Sequence, residues 1–147
     1  LDSKIVRIFN TYGPRMRVRD GRAIPNFISQ ALCGNEVTVY GNGDQTRSFC
    51  YISDLVSGVV ALAESDLNSP VNIGNPSEMT ILQLAENIIT ATNSSSRIVH
   101  KGLPIDDPKI RQPDITRAQS LLNWEPTVPI SQGLSSTIKY FEGKLKQ

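Results

Sequence analysis

The apolar residues of this chain change their period several times, and that alternation limits the available folds more than any other feature. Short runs rich in β-branched and aromatic residues occur at 4–9 (KIVRIF), 37–40 (VTVY), 48–52 (SFCYI), 71–73 (VNI) and 97–100 (RIVH). Between them the spacing changes: Ile24, Phe27, Ile28, Ala31 and Leu32 recur at i, i+3, i+4, i+7 and i+8, one face of a helix. A period of two suits a strand and a period of 3.6 suits a helix, so the chain is expected to alternate strands with amphipathic helices in an α/β or mixed architecture. No segment repeats and no low-complexity linker intervenes, so the 147 residues read as one domain-sized unit.

Local signals set the expected boundaries. Gly34 stops the first helix, and Ser53 or Asp54 caps a second that buries Leu55, Val59, Leu62 and Ala63. Thr80 caps a third carrying Ile81, Leu84, Ala85 and Ile88 inward, and Asp114 a short one with Ile115, Ala118, Leu121 and Leu122. Ser131 begins a last helix, with Leu134, Ile138, Phe141 and Leu145 aligned. Gly and Pro mark loops at 10–14, 41–44 and 74–76, and a Pro-, Asp- and Arg-rich stretch from Gly102 to Pro113 is a candidate functional loop. The run at 4–9 reads as a buried strand that starts almost at once, with no Met and no leader. Its sheet neighbours are therefore expected in upstream sequence.

Composition excludes several functions. A net charge of +1, from 15 basic and 14 acidic residues, provides no field to attract a polyanion, so nucleic acid is not an expected partner. Cys33 and Cys50 match neither a zinc pair nor a disulfide framework and read as small buried hydrophobes. His100 is the only histidine, and no metal site or Ser-His-Asp triad is assigned. The P-loop, the GxGxxG turn and the GxSxG elbow do not occur.

What remains is a set of arginines at loop and strand edges: Arg15, Arg17, Arg22, Arg47 and Arg111. A guanidinium keeps its charge and presents a planar fork of donors, which suits the oxygens of a diphosphate. Arg47 follows the Gly41–Asn42–Gly43 turn, where bare backbone lets a ligand approach, and Arg111 sits among Pro104, Pro108 and Pro113. The neighbouring strand Thr38–Val39–Tyr40 offers main-chain groups and an aromatic surface to a base. Asp106 and Asp107, adjacent and beside Pro108, read as turn formers instead of an acid–base pair.

The runs RIFNTYGPRM (7–16), DGR (20–22), TVYGNG (38–43), QTRSF (45–49), YISDL (51–55), NIGNP (72–76), DDPKIRQPDI (106–115) and WEP (124–126) together closely resemble the UDP-glucuronate decarboxylases, or UDP-xylose synthases. These belong to the extended short-chain dehydrogenase/reductases. The YGP turn, the VYGxGxQxR segment and the Y-x-x-D-L helix start also occur in nucleotide-sugar dehydratases and epimerases. FNTYGPRM, NIGNP and DDPKIRQPDI are more specific.

The resemblance implies the C-terminal part of a Rossmann-like NAD-binding fold together with a small mixed α/β nucleotide-sugar-binding domain, the NAD-binding half lying upstream. It implies that Asn10 faces the sugar diphosphate, that Thr11 and Arg22 lie near NAD, and that Arg17 occupies a cofactor-approaching position where other members often carry His. It further implies that Thr38, Val39 and Tyr40 flank the uracil and that Arg47 and Arg111 hold the nucleotide and diphosphate. The implied reaction oxidises the sugar of UDP-glucuronate at C4, releases the C5 carboxylate as CO2 and restores the hydride to give UDP-xylose, with NAD recycled. The family's Tyr-x-x-x-Lys pair is expected upstream. Tyr140 and Lys144 share that spacing, but lie in the last amphipathic helix beyond the ligand motifs, so no catalytic residue is assigned here. The full-length protein is expected to be a homodimer, either cytoplasmic or anchored in the Golgi membrane according to its amino terminus. A 4,6-dehydratase or 4-epimerase of the same family, and a non-catalytic nucleotide-sugar-binding module, remain the alternatives.

Overall fold

A computed structural model describes residues 2–102 and 111–145. The chain runs β1 (Val6–Ile8), β2 (Thr11–Tyr12), α1 (Ala23–Leu32), β3 (Val37–Tyr40), β4 (Thr46–Ser48), β5 (Cys50–Tyr51) and α2 (Ile52–Ala63). It continues through β6 (Val71–Ile73), β7 (Glu78–Thr80), α3 (Ile81–Ala91), β8 (Ile98–Lys101), α4 (Thr116–Leu122) and α5 (Ile130–Leu145). Strands pair with distant partners: β1 with β6, β2 with β5 and β3 with β8 are parallel, and β4 with β7 is antiparallel. A parallel pair cannot be closed by a tight turn, so helices cross between the partners and cover the strands. This is the mixed α/β architecture that the alternating periods predict.

Two apolar cores result. The larger joins α1, β3, α3 and α5 through Ile28, Val37, Val39, Leu84, Ile88 and Phe141, all without exposed surface. The smaller joins β5, α2, β6 and α4 through Cys50, Leu62, Val71, Ile73, Ala118 and Trp124. Helix α1 buries the face expected of it: Ile24, Phe27, Ile28 and Ala31. Thr80 caps α3 as expected, its side chain accepting from the Gln83 N–H at 3.0 Å while Gln83 Oε1 accepts from the Thr80 N–H at 2.9 Å.

Several local expectations are corrected. The run 48–52 is not one strand: β4 ends at Ser48, β5 begins at Cys50, and Ile52 already belongs to α2. The chain changes partners at Phe49, from antiparallel β7 to parallel β2, a tertiary choice that an apolar run does not encode. The same pairing turns Thr11–Tyr12, expected as loop, into β2. Neither Ser53 nor Asp54 caps α2, whose N-cap is Tyr51, without a side-chain cap. Asp54 is 5% exposed, and its carboxylate accepts from the Thr127 N–H (3.1 Å), the Thr127 hydroxyl (3.2 Å) and the Val128 N–H (3.0 Å). Asp114 is not the N-cap of α4 either: that position is Ile115, without a side-chain cap, while Asp114 one residue earlier accepts from the Thr116 N–H at 2.9 Å and its hydroxyl at 2.7 Å. Ala63, Leu121 and Leu145 are exposed instead of buried, as is Cys33. The expected buried strand at the start has an open face, with Ile5 and Ile8 45% and 58% exposed.

Candidate functional site

Helix α1 begins beside the edge of β3 that carries no partner strand, and β2 and β4 close the space between them. The result is a cavity of about 260 Å³, whose lining includes Asn10, Thr11, Arg22, Thr38, Tyr40 and Arg47. These come from four separate parts of the sequence, and the fold brings them to one place. The Asn10 amide donates to the Ser48 carbonyl at 3.3 Å, and the Thr11 hydroxyl to the Phe9 carbonyl at 2.9 Å, which fixes both side chains on the cavity floor. Arg47 is only 9% exposed, and one of its terminal nitrogens donates to the Thr46 carbonyl at 2.8 Å. Tyr40 presents its ring at 47% exposure.

The charge arrangement favours an anion. Arg22 is held by Asp20 through two contacts, Nε to Oδ1 at 2.5 Å and a terminal nitrogen to Oδ2 at 2.8 Å. Those hydrogen bonds hold the Asp20 carboxyl below the usual carboxylate range and raise the Arg22 guanidinium correspondingly, so the pair stays ionised. Arg22 is also the N-cap residue of α1 and no side chain caps the helix there, so the Ala23 and Ile24 N–H groups, on residues that line the cavity, have no side-chain cap, while Pro25 has no N–H to give. Tyr12, on the inner wall, has its phenol pushed well above its ordinary pKa by burial and donates to the Ile130 carbonyl at 3.4 Å. It is a packing residue with no proton to exchange at neutral pH.

Three residues expected at the site do not line this cavity. Arg17 is exposed outside it. Val39 turns its side chain into the larger core. Arg111 is exposed, although its carbonyl accepts from the Ser48 hydroxyl at 3.2 Å, which keeps its backbone next to the residue after Arg47. Pro104, Asp106, Asp107 and Pro108 lie outside the described residues. Gly43 does not open the backbone to a ligand: at φ +80° it packs so closely on α3 that a Cβ there would meet Leu82 and Val39 at 2.9 Å. Tyr140 packs against the larger core and is not at the cavity.

Gln45, Phe49 and Asn26 line the cavity without having been expected there. The signal for Asn26 was present, because it is a polar residue in the first turn of α1 beside the buried Phe27. Among the described residues no group of His, Cys, Asp or Glu could hold a metal ion, and no helix is long and apolar enough to cross a membrane.

Parallel strands crossed by helices, with an arginine-lined cavity at a free strand edge, define a Rossmann-like α/β protein with a cleft suited to an anionic ligand. The model of the NAD dependent epimerase/dehydratase family matches residues 1–74. The chain belongs to that family. It is 51% identical over 146 residues to UDP-glucuronic acid decarboxylase 1 of Xenopus tropicalis, covering 99% of this chain and 35% of the relative. It is 51% identical over 134 residues to UDP-glucuronic acid decarboxylase 5 of Arabidopsis thaliana, covering 91% and 39%. The chain thus spans little more than a third of the length of these relatives.

Among solved structures it is similar to a UDP-glucose 4-epimerase with UDP-glucose from Thermotoga maritima, with a TM-score of 0.91 and 30% identity over 95% of this chain and 46% of that one. It is also similar to a UDP-glucuronic acid 4-epimerase from Bacillus cereus in complex with UDP-glucuronic acid and NAD, with a TM-score of 0.88 and 32% identity over 96% and 45%.

Proposed function

We propose that this chain is the C-terminal, UDP-sugar-binding part of a UDP-glucuronate decarboxylase, which converts UDP-glucuronate to UDP-xylose and CO2. The observation that carries the reading is the single cavity that joins a buried arginine, a second arginine at a helix N-terminus and an open strand edge beside a tyrosine ring. In this reading Arg47 and the start of α1 hold the diphosphate, Asn10 faces it from the floor, and the Thr38–Tyr40 edge takes the base. Val39 serves by fixing that strand in the core. Arg111, exposed and outside the cavity lining but anchored by its carbonyl near Ser48, is the second diphosphate cation of this reading. About half of all positions match the decarboxylase relatives, against about a third for the epimerase structures.

NAD is the cofactor of this reading. Thr11 and Arg22, which line the cavity together, would hold one edge of it, while Arg17 stands outside the cavity. When bound, NAD supplies reversible hydride transfer at the sugar C4. This chain's own residues bind and orient: the arginines and the α1 amides fix the diphosphate, and so hold the sugar at a set distance from the NAD-binding half. The preceding half is also where the acid–base residues belong, and the full-length protein is expected to be a homodimer. A 4-epimerase is the second reading, favoured by the close fold match to UDP-sugar 4-epimerases.

Calorimetric titration of the intact protein with UDP tests the binding site. Arg47→Ala is expected to weaken binding by about 1.5–3 kcal/mol, the worth of a charge-assisted hydrogen bond, and Arg111→Ala by a similar amount. An affinity unchanged by Arg47→Ala removes the cavity from the reading.

A further inference from the structure

Strand β4 ends at Ser48, which is 1% exposed and sits between two residues of the cavity lining, Arg47 and Phe49. Its carbonyl and its hydroxyl are both engaged by residues distant in the sequence. The carbonyl accepts from the Asn10 amide at 3.3 Å, and the hydroxyl donates to the Arg111 carbonyl at 3.2 Å, 63 residues away. Asn10, Arg47 and Arg111 are the three side chains that the nucleotide-sugar reading gives to the diphosphate. All three residues meet at Ser48, the first and last by hydrogen bond and Arg47 as its neighbour in the chain.

The contact to Arg111 is the first of a row. Gln112 Nε2 donates to the Pro76 carbonyl at 2.7 Å, the buried Pro113 lies against Gly74, and the Asp114 carbonyl accepts from Asn72 Nδ2 at 2.9 Å. Each residue from 111 to 114 is thereby fastened in turn to β4, to β6 or to the loop between β6 and β7. The main chain of Arg111 is held, while its side chain remains exposed. A long guanidinium side chain loses rotamer freedom when it grips a ligand, and an unfastened backbone would add its own loss to that cost. Fixing the backbone beforehand removes the second loss and limits where the guanidinium can reach.

We infer that Ser48 is a positioning residue for the diphosphate grip: its hydroxyl docks the main chain of Arg111 next to that of Arg47, so that two guanidinium groups approach one ligand from neighbouring backbone points. Gln112 supports the dock from the next position. Neither Ser48 nor Gln112 lines the cavity, so both act through Arg111. The inference rests on the nucleotide-sugar reading and deepens it, because it assigns the pairing of the two arginines to a side chain that carries no charge.

The test is a double-mutant cycle on the intact protein, with UDP affinity read by calorimetry in wild type, Ser48→Ala, Arg111→Ala and the double variant. Arg111→Ala is expected to weaken UDP about tenfold or more. Ser48→Ala should weaken it roughly three- to tenfold, the cost of ordering the Arg111 segment at the moment of binding. In the Arg111→Ala background the same Ser48→Ala change should alter UDP affinity less than about twofold, since nothing is left to position. A merely structural role would give an equal loss in both backgrounds, and that result overturns the inference, as does an affinity that Ser48→Ala leaves unchanged in the wild-type background. Gln112→Ala, at an exposed position, takes the place of Ser48→Ala in the cycle if the latter does not fold, with the same two outcomes. An affinity unchanged by Arg111→Ala itself overturns Arg111 in the nucleotide-sugar reading, and the inference with it.

Discussion

Residue by residue, surroundings decide roles that the type of side chain leaves open. Both cysteines read as buried from the sequence, yet Cys33 follows the last turn of α1 in solvent and Cys50 has no exposed surface. Burial pushes the Cys50 thiol up to about 12, with the nearby Asp54 charge adding to the effect. A thiol reagent should therefore titrate one cysteine in the native protein segment and both after unfolding; two fast thiols in the native state would contradict the packing. The raised value also fixes a sign. The thiol is protonated in both states below its unfolded pKa, and as pH rises from about 9 to about 12 the unfolded chain ionises first, so stability is lost across that window. Urea midpoints should fall less steeply over that range in Cys50→Ala than in wild type, and parallel curves would show that Cys50 is not the source. Asp54 teaches the same lesson: its position suggested a helix cap, and only the return of the chain at Thr127 and Val128 makes it a buried anchor.

At the scale of elements, what the sequence made legible was whatever depends on neighbours in the chain. The faces of α1 and α3, the capping box at Thr80 and the strand at 37–40 rest on local spacing and match the structure. Thr80→Ala should cost about 1 kcal/mol of stability by removing that cap, measurable as a shift in the denaturation midpoint at unchanged m-value. What stayed hidden depends on distant pairing: β2 exists because β5 lies beside it, and the break at Phe49 follows from two different partner strands. Contact between α5 and β2 is equally invisible in the sequence. At Gly133 a Cβ would overlap the Tyr12 hydroxyl, which is itself held by Ile130. Gly133→Ala is accordingly expected to destabilise by roughly 1–3 kcal/mol, whereas the same change at an ordinary exposed helix position stabilises by about 0.5–1 kcal/mol. The candidate site was half legible for the same reason: the arginines and the 38–40 strand announced themselves by type and spacing, whereas Gln45 and Ser48 gain meaning only from the neighbours that the fold brings to them.

For the molecule as a whole, one surface does not fit a self-contained domain. Ile8 on β1 and Val56 and Val60 on α2 are 58%, 52% and 47% exposed, and β1 has a partner on one side only. Large exposed apolar side chains on an unpaired edge strand and on the helix packed against it mark a surface that another element covers. The proposed NAD-binding half is that element, so Val56→Lys combined with Val60→Lys should lower the stability of the intact protein by more than about 1 kcal/mol, where lysines at solvent-facing positions change it by about 0.5 kcal/mol or less. The chemistry of the whole protein is decided by its product. Incubating the intact protein with NAD and UDP-glucuronate, while following the anomeric protons by NMR and trapping released gas, should yield UDP-xylose and an equal amount of CO2; UDP-galacturonate with no CO2 would contradict a decarboxylase.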